Sequence, residues 1–145
     1  DHTTYKKAPA RFEAGTPPIV EVIGIAAAVD YVLECGVDNI SDHEDGVEDS
    51  TQKQLATIDG VNVLGQDVDR IGVFSLIMDG VHTSDIAMIL DQMGVAVRTG
   101  HHCCMPLMQR FKVDGTVRAS IGLYTDKQDI DRLVAGLKKA QEMLS

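Results

Sequence analysis

Tryptophan is absent from the 145 residues, and aromatic residues make up only 4% of them. Leu, Ile, Val, Met and Ala must therefore build the core of a chain that is 44% hydrophobic. Cysteine is scarce, with three residues, of which Cys103 and Cys104 are adjacent. This odd number and this spacing make a poor disulfide framework. We therefore expect free thiols in a reducing compartment, the cytoplasm.

Basic clusters and long apolar runs are also lacking. The net charge is −9, and the nearest approach to a basic cluster is Lys138-Lys139. Binding of nucleic acid requires clustered Lys and Arg, so we expect no such partner. The richest apolar stretch, Ile19–Leu33, is interrupted by Glu21 and Asp30. It falls short of the roughly 18 residues that span a membrane, and the opening residues lack the apolar region of a signal peptide.

The apolar pattern predicts helices and strands in the order ααββαββα. We expect a loop or extended segment over residues 1–16, followed by helices over Ile19–Cys35 and from Ser41 to about Thr57. Strands over Val61–Leu64 and Arg70–Met78 follow, joined by a polar connection at 66–69, and then a helix that is capped by Thr83 or Ser84 and reaches Met93. Strands over Val95–Arg98 and Thr116–Tyr124, with helical turns at Pro106–Phe111 between them, and a last helix from Asp126 complete the order.

These elements predict a single small domain over residues 17–145. Ser41 and Glu44 have the spacing of a capping box at the start of the second helix. The predicted class is α/β, in the form of a two-layer α+β domain. Its small mixed or antiparallel sheet would have the helices packed on one face.

The segment Arg98–Leu107 is the strongest candidate for chemistry. Between positions 98 and 104 it gathers one Arg, one Gly, two His and two Cys. It follows a predicted strand, where loops often present functional groups. Cationic neighbours such as Arg98, His101 and His102 lower the pKa of a cysteine and move protons. Cys103 is therefore a candidate nucleophile.

Three other interpretations of the cysteines remain open. Cys103 and Cys104 could pack as small hydrophobic residues. A zinc site would use the same His and Cys side chains, although contiguous ligands do not easily close a tetrahedron around one ion. A strained disulfide between the two adjacent cysteines is the third interpretation.

Three motifs carry a resemblance to a known family. The run Arg98-Thr-Gly-His-His-Cys103, followed by Met105-Pro-Leu107, resembles the active-site signature of SUF-type (group II) cysteine desulfurases, which selenocysteine lyase-like enzymes share. Arg11–Pro17 is similar to the family's RFEAGTP segment. Arg118-Ala-Ser120, with Tyr124, is similar to the strand that follows the active-site cysteine in this family. These are fold-type I, pyridoxal-phosphate enzymes of the class V aminotransferase superfamily. The resemblance covers essentially the whole chain.

The resemblance implies a reaction and a set of roles. Cys103 would take sulfur from L-cysteine as a persulfide, releasing L-alanine, for iron–sulfur cluster assembly through a sulfur-acceptor protein of the SUF system. Arg118 would pair with the substrate carboxylate, and Arg98 would be a second active-site arginine. His101 and His102 would support the cysteine.

The resemblance also implies a cofactor contact between subunits. Thr16, with Gly15, would reach the phosphate of pyridoxal phosphate in the neighbouring subunit of a homodimer. The family's cofactor domain and its cofactor lysine would precede this region. We therefore expect a C-terminal small domain that is inactive by itself.

Two points stay open within the resemblance. Cys104 stands where relatives usually have alanine, and it could pack as a small residue or share the persulfide. The parent could instead act on selenocysteine or cysteine sulfinate, or the chain could be a non-catalytic sulfur carrier.

Overall fold

The computed structural model of the chain describes residues 2–66 and 70–144. Within them the elements are α1 (Ile19–Cys35), α2 (Val37–Leu55), β1 (Val61–Leu64), β2 (Val73–Met78), α3 (Thr83–Gln92), β3 (Arg98–Gly100), α4 (Met105–Phe111), β4 (Thr116–Ser120) and α5 (Lys127–Leu144), with one 3-10 turn at Ala10–Phe12. The chain consists of two compact units, which are residues 1–39 and 40–145.

The second unit is built on a four-stranded antiparallel sheet in the order β1-β2-β4-β3. The register pairs Phe74 with Ala119 and Leu76 with Val117, and all four side chains are buried. Because alternate residues of a strand share a face, these four define the core face of the sheet. The predicted α/β fold is confirmed.

Helices α2, α3 and α5 pack against this core face. The buried cluster contains Leu55 of α2, three residues of α3 and the inner stripe of α5, which are Ile86, Ile89, Leu90, Ile130, Leu133, Val134, Leu137 and Ala140. Among the described residues, no helix is both long and apolar enough to cross a membrane.

The start of α2 differs from the prediction. The helix begins at Val37, so Ser41 and Glu44 lie inside it and do not form a capping box. The chain needs only Gly36 between α1 and α2, and the φ of 84° at this residue suits glycine. A local capping pattern cannot reveal that the preceding residues are already helical. The bounds predicted for α1 are confirmed.

Strand ends are the second difference. The strand predicted at Val95–Arg98 is observed at Arg98–Gly100, because Val95 and Val97 pack against the core without pairing. β4 ends at Ser120, short of the predicted Tyr124. β2 begins at Val73 rather than Arg70, and residues 67–69 of the predicted polar connection lie outside the described part.

Helix caps account for the remaining differences. Neither Thr83 nor Ser84 caps α3, because His82 is the N-cap and its Nδ1 accepts from the N–H of Ser84 at 3.2 Å. Asp126 precedes α5 as predicted, and its carboxylate accepts from the N–H of Gln128 at 2.7 Å. The turn at Ala10–Phe12 lies within the segment predicted as loop or extended.

Candidate active site

Alternate residues of β4 serve opposite faces of the sheet. Val117 and Ala119 point into the core, so Thr116 and Arg118 lie on the other face. The register extends this face to Ser75 of β2 and Arg98 of β3, the two direct partners of Arg118. We call these four residues, Ser75, Arg98, Thr116 and Arg118, the site face.

Two positive charges lie side by side on the site face. Arg98 and Arg118 are direct antiparallel partners, and like charges in such a position disfavour pairing. The Nε of Arg118 is buried and has no hydrogen-bond partner among the described residues. An unsatisfied buried donor costs about 1–3 kcal/mol. A carboxylate bound here would satisfy the donor and offset the repulsion.

The Cys loop, residues His101–Cys104, is a tight turn with two left-handed residues. The φ angles are 52° at His102 and 58° at Cys103, and the N–H of Cys104 donates to the carbonyl of His101 at 2.8 Å. Positive φ at both central positions defines a type I′ turn, which favours Asn and Gly. A left-handed residue other than glycine costs about 1–2 kcal/mol. The loop therefore places backbone strain at Cys103, as functional sites often do.

The two histidines of the loop make different hydrogen bonds. The Nδ1 of His101 accepts from the N–H of Cys103 at 3.1 Å, so this nitrogen bears no proton. The Nε2 of His102 lies 2.9 Å from the Oγ1 of Thr116 and 3.2 Å from its carbonyl oxygen. Since a carbonyl only accepts, the Nε2 of His102 bears the proton. The Nδ1 of His102 is buried and unpaired among the described residues.

The pKa of His102 is lowered in the folded chain. Burial lowers the pKa of His102 below 6.5, and the charges of Arg118, Arg98 and His101 lower it further, against the opposing hydrogen bond to the backbone of Thr116. The ring is therefore neutral near pH 7. Its Nδ1 then bears no proton and is, within the described residues, an unpaired acceptor.

A contact between two glycines fixes the start of the loop. A Cβ placed on Gly115 would lie 2.9 Å from two backbone atoms of Gly100. Such a distance is too short for two carbon atoms, so only glycine allows this approach of the chain before β4 to the end of β3. Gly100 itself has a φ of 101°, which favours glycine again.

The cysteines are free thiols in this structure. Cys103 and Cys104 are exposed and unbridged, and Cys35 is half-buried in the first unit. The exposure of Cys103 contradicts packing as a buried hydrophobic residue. Within residues 2–66 and 70–144, no group of three or more His, Cys, Asp or Glu side chains is arranged to hold a metal ion.

The candidate phosphate contact lies in the first unit. Gly15 has a φ of 83°, and Thr16 is exposed beside it at a bend before Pro17 and Pro18. The Thr16 hydroxyl has no hydrogen-bond partner in the described part of the chain. Its hydroxyl and the backbone N–H groups of this bend are suited to phosphate oxygens.

The lysines test whether the chain could hold pyridoxal phosphate by itself. All seven are exposed, namely Lys6, Lys7, Lys53, Lys112, Lys127, Lys138 and Lys139, and Lys127 pairs with Asp131. A cofactor lysine needs an enclosed site beside the cofactor ring. By its chemistry Thr16 suits a phosphate group and Arg118 suits a carboxylate, whereas none of the lysines has the enclosed environment of a cofactor lysine.

Residues beyond the sequence prediction also shape the site. Thr116 and Gly115 hold the Cys loop, and Ser75 lies beside Arg118. The alternation along β4 could have indicated Thr116, because it lies two positions before Arg118. The contact between Gly100 and Gly115 leaves no comparable signal in the sequence.

Comparisons with known proteins agree on one family. The aminotransferase class-V family matches residues 1–133. The chain is 43% identical over 142 residues to a cysteine desulfurase of Salmonella agona and 41% identical over 144 residues to a probable cysteine desulfurase of Vibrio cholerae. These matches cover 98% and 99% of this chain and 35% of each relative.

Solved structures give the same result. The cysteine desulfurase CsdA of Escherichia coli is similar with a TM-score of 0.86 and 31% identity, over 97% of this chain and 35% of that one. The apo cysteine desulfurase of Thermococcus onnurineus is similar with a TM-score of 0.84 and 32% identity, over 96% of this chain and 35% of that one. A NifS-like protein of Rickettsia africae, with 13% identity, shares the fold.

The chain therefore belongs to the class-V aminotransferase family. The relatives from Salmonella agona and Escherichia coli are cysteine desulfurases, and the one from Vibrio cholerae is a probable cysteine desulfurase. The chain spans about a third of the length of these relatives.

Proposed function

We propose that this chain supplies the sulfur-accepting side of a cysteine desulfurase active site, with L-cysteine as substrate. One observation carries the proposal: Cys103 is exposed in a strained type I′ turn that directly follows β3, whose Arg98 pairs with Arg118 on the site face. An amino acid has a carboxylate for such a pair. The same molecule then presents its sulfur to a nearby thiol.

The arginines bind and orient the substrate. Arg118 donates from its unsatisfied Nε to the carboxylate, and the planar guanidinium fits a carboxylate with two parallel hydrogen bonds. Arg98 adds a second positive charge across the ladder. With the substrate held in this place, its reaction with the thiol becomes effectively unimolecular, which lowers the entropic part of the barrier.

Cys103 then acts as the nucleophile. The exposed thiol of Cys103, which follows His101 and His102 in the turn, loses its proton to solvent. The thiolate sulfur then forms a bond with the substrate sulfur while the bond between that sulfur and Cβ breaks. The electron pair of the broken bond stays with the carbon, which takes up a proton to give L-alanine. Pyridoxal phosphate, when bound, supplies the electron sink that lets this bond break.

The cofactor contacts are divided between parts of the parent enzyme. Thr16 and Gly15 would hold the phosphate of the neighbouring subunit in a homodimer, while the lysine that carries the cofactor would come from the remaining part of the parent. Because the lysines of this chain are all exposed, these 145 residues by themselves would neither hold the cofactor firmly nor release alanine.

The motif also supports a proposal for the subtype of the enzyme and for the destination of the sulfur. The run from Arg98 to Cys103 supports a SUF-type (group II) enzyme that passes sulfur to an acceptor protein for iron–sulfur cluster assembly. The exposure of Cys103 suits such a transfer. A division of the chain into the segment 1–16 and a small domain at 17–145 remains part of the proposal.

A chimera tests the function directly. The segment of the Salmonella agona relative that matches this chain is replaced by this chain, and binding of pyridoxal phosphate is followed by its visible absorbance. We expect L-cysteine to yield alanine and one added sulfur atom on Cys103, detected by mass spectrometry. Cys103→Ala should abolish the added sulfur, while the matched control Cys104→Ala should retain it.

Other outcomes would change the assignment. A chimera that binds the cofactor and releases no alanine would contradict the desulfurase function. Sulfur acquired on Cys103 of the separate 145-residue chain, from an intact desulfurase and L-cysteine, would then favour a sulfur carrier. Turnover of selenocysteine or cysteine sulfinate in preference to L-cysteine would reassign the substrate.

A further inference from the structure

Thr116 is one of two polar residues that are completely buried in the described part of the chain, and the other is Thr51. A buried hydroxyl is unfavourable unless it is hydrogen-bonded. Thr51 satisfies its hydroxyl locally, by donating to the carbonyl of Val47 one helical turn earlier at 2.7 Å. Thr116 instead uses a side chain 14 positions away, the ring of His102. Its hydrogen bond therefore joins β4 to the Cys loop.

The two contacts of Thr116 with His102 determine which nitrogen of the His102 ring is open. Both acceptors near Nε2, the hydroxyl and the carbonyl oxygen, belong to Thr116. With the Nε2 proton shared between them, the neutral ring leaves Nδ1 bare and buried. The Nδ1 of His101 is already occupied by the N–H of Cys103. His102 thus holds the open ring acceptor of the Cys loop.

The same hydrogen bond steadies the turn that presents the thiol. His102 and Cys103 occupy the two left-handed positions, which neither residue prefers. A side chain anchored to a fully buried strand residue restricts His102, and through the backbone it restricts Cys103. Thr116 does not contact the reacting atoms, so its effect on them is indirect.

We propose that Thr116 is a positioning residue, which fixes His102 with its proton on Nε2 and so restrains the left-handed turn that presents Cys103. The proposal rests on the function proposed above. It assigns to a buried threonine a role in reactivity that the sequence motif does not include.

Three variants of the chain test this role. Thr116→Val removes the hydroxyl with little change of shape, Thr116→Ser retains the hydroxyl, and Thr51→Val removes the other buried hydroxyl as a matched control. Nitrogen-15 NMR of the histidine rings reports which nitrogen of His102 bears the proton. Mass spectrometry of the Cys103 peptide, in a Cys104→Ala background, reports its rate of alkylation by iodoacetamide.

In the wild type we expect a protonated Nε2 and a bare Nδ1 at His102. Thr116→Val removes the nearer acceptor and retains the carbonyl, so it should shift both resonances only part of the way toward values averaged between the two neutral forms. It should also slow the alkylation of Cys103 about fivefold, the factor that corresponds to losing one ordinary hydrogen bond. Thr116→Ser should restore both readouts, and Thr51→Val should leave both unchanged.

Several results would overturn the proposal. The first is a wild-type His102 that carries its proton on Nδ1. The second is a Thr116→Val protein with wild-type resonances and a wild-type alkylation rate. The third is a Thr116→Ser protein whose His102 resonances show that the hydrogen bond has been lost. If Thr116→Val does not fold, the wild-type resonances and Thr116→Ser decide. Neither readout needs cofactor or L-cysteine, so a failed chimera would contradict the desulfurase function and leave this test valid.

Discussion

The two faces of one sheet have opposite tasks. On the core face, Phe74, Leu76 and Val117 are completely or almost completely buried and bring α2, α3 and α5 together. On the site face, Arg118 has an unsatisfied buried nitrogen and lies beside a second arginine. The chain itself buries the apolar side chains of the core face. Among the residues that the structure describes, it leaves on the site face a buried donor without a hydrogen bond and two positive charges without a counter-charge. An unpaired donor and two like charges on the sheet face that leads to a strained cysteine indicate a binding site for a negatively charged ligand.

Because neighbouring residues of β4 belong to different faces, stability and reactivity can be changed separately. Changes on the core face should lower the free energy of unfolding without a specific effect on the thiol. Changes around the Cys loop should alter the thiol with a smaller effect on unfolding. Four substitutions test this separation, in decreasing order of their expected effect on stability.

Phe74→Ala should have the largest effect. The side chain is completely buried at the centre of the core face, and truncation of such a phenylalanine costs about 3–5 kcal/mol. Urea denaturation measures the loss. Val73→Ala on the same strand is the control, because Val73 is 36% exposed and should cost much less. Equal losses in the two variants would show that the face assignment is wrong.

Gly115→Ala should affect both faces. The new methyl group would lie 2.9 Å from the backbone of Gly100, so the two segments must separate. Overpacking of this kind costs about 1–3 kcal/mol, and it should also change the alkylation rate of Cys103. Gly122→Ala is the matched control, since a Cβ there meets nothing within 4 Å. An unchanged alkylation rate in Gly115→Ala would mean that the glycine contact does not position the loop.

The sequence predicts the elements of the core face well and their ends less well. The stripe of α5 and the apolar alternation of β2 follow from side chains that the sequence displays directly. The errors at Ser41 and at Val95–Arg98 have another cause. A capping pattern and an apolar pair describe local preferences, whereas the start of α2 and the pairing of β3 depend on where distant residues lie.

The sequence motif predicted the residues of the site, and the strand register shows how they are brought together. Arg98, Cys103 and Arg118 could be singled out from the sequence, and the register brings the two arginines together. The contribution of Thr116 depends on a hydrogen bond between residues 14 positions apart. The left-handed turn at His102 and Cys103 was not predictable, because neither residue signals positive φ as Gly or Asn does.

His102 should give the protein a distinctive sensitivity to acid. Its pKa is lowered by burial first, then by Arg118 of β4, Arg98 of β3 and His101 of its own loop. The unfolded chain, with a histidine pKa near 6.5, therefore binds this proton more readily than the folded one. The free energy of unfolding should fall as the pH drops below about 6.5.

His102→Asn should reduce this fall, since asparagine tolerates the left-handed conformation and does not titrate. Urea denaturation at several pH values between neutral and the lowered pKa measures the slope, and the wild type is the control. Identical slopes in the two proteins would contradict the burial of a neutral ring at this position.

Cys104→Ala should have the smallest effect and gives the sharpest contrast with its neighbour. Cys104 is exposed, and its side chain makes no capping hydrogen bond to α4. Substitutions at such surface positions usually change stability by less than about 0.5 kcal/mol. The backbone N–H that closes the turn onto His101 is retained in alanine, so the turn and the thiol of Cys103 should be preserved. Alkylation of Cys103 at the wild-type rate would show that adjacent cysteines differ in role because the turn restricts only the first of them. A slower rate would assign Cys104 a direct part in the reactivity of its neighbour.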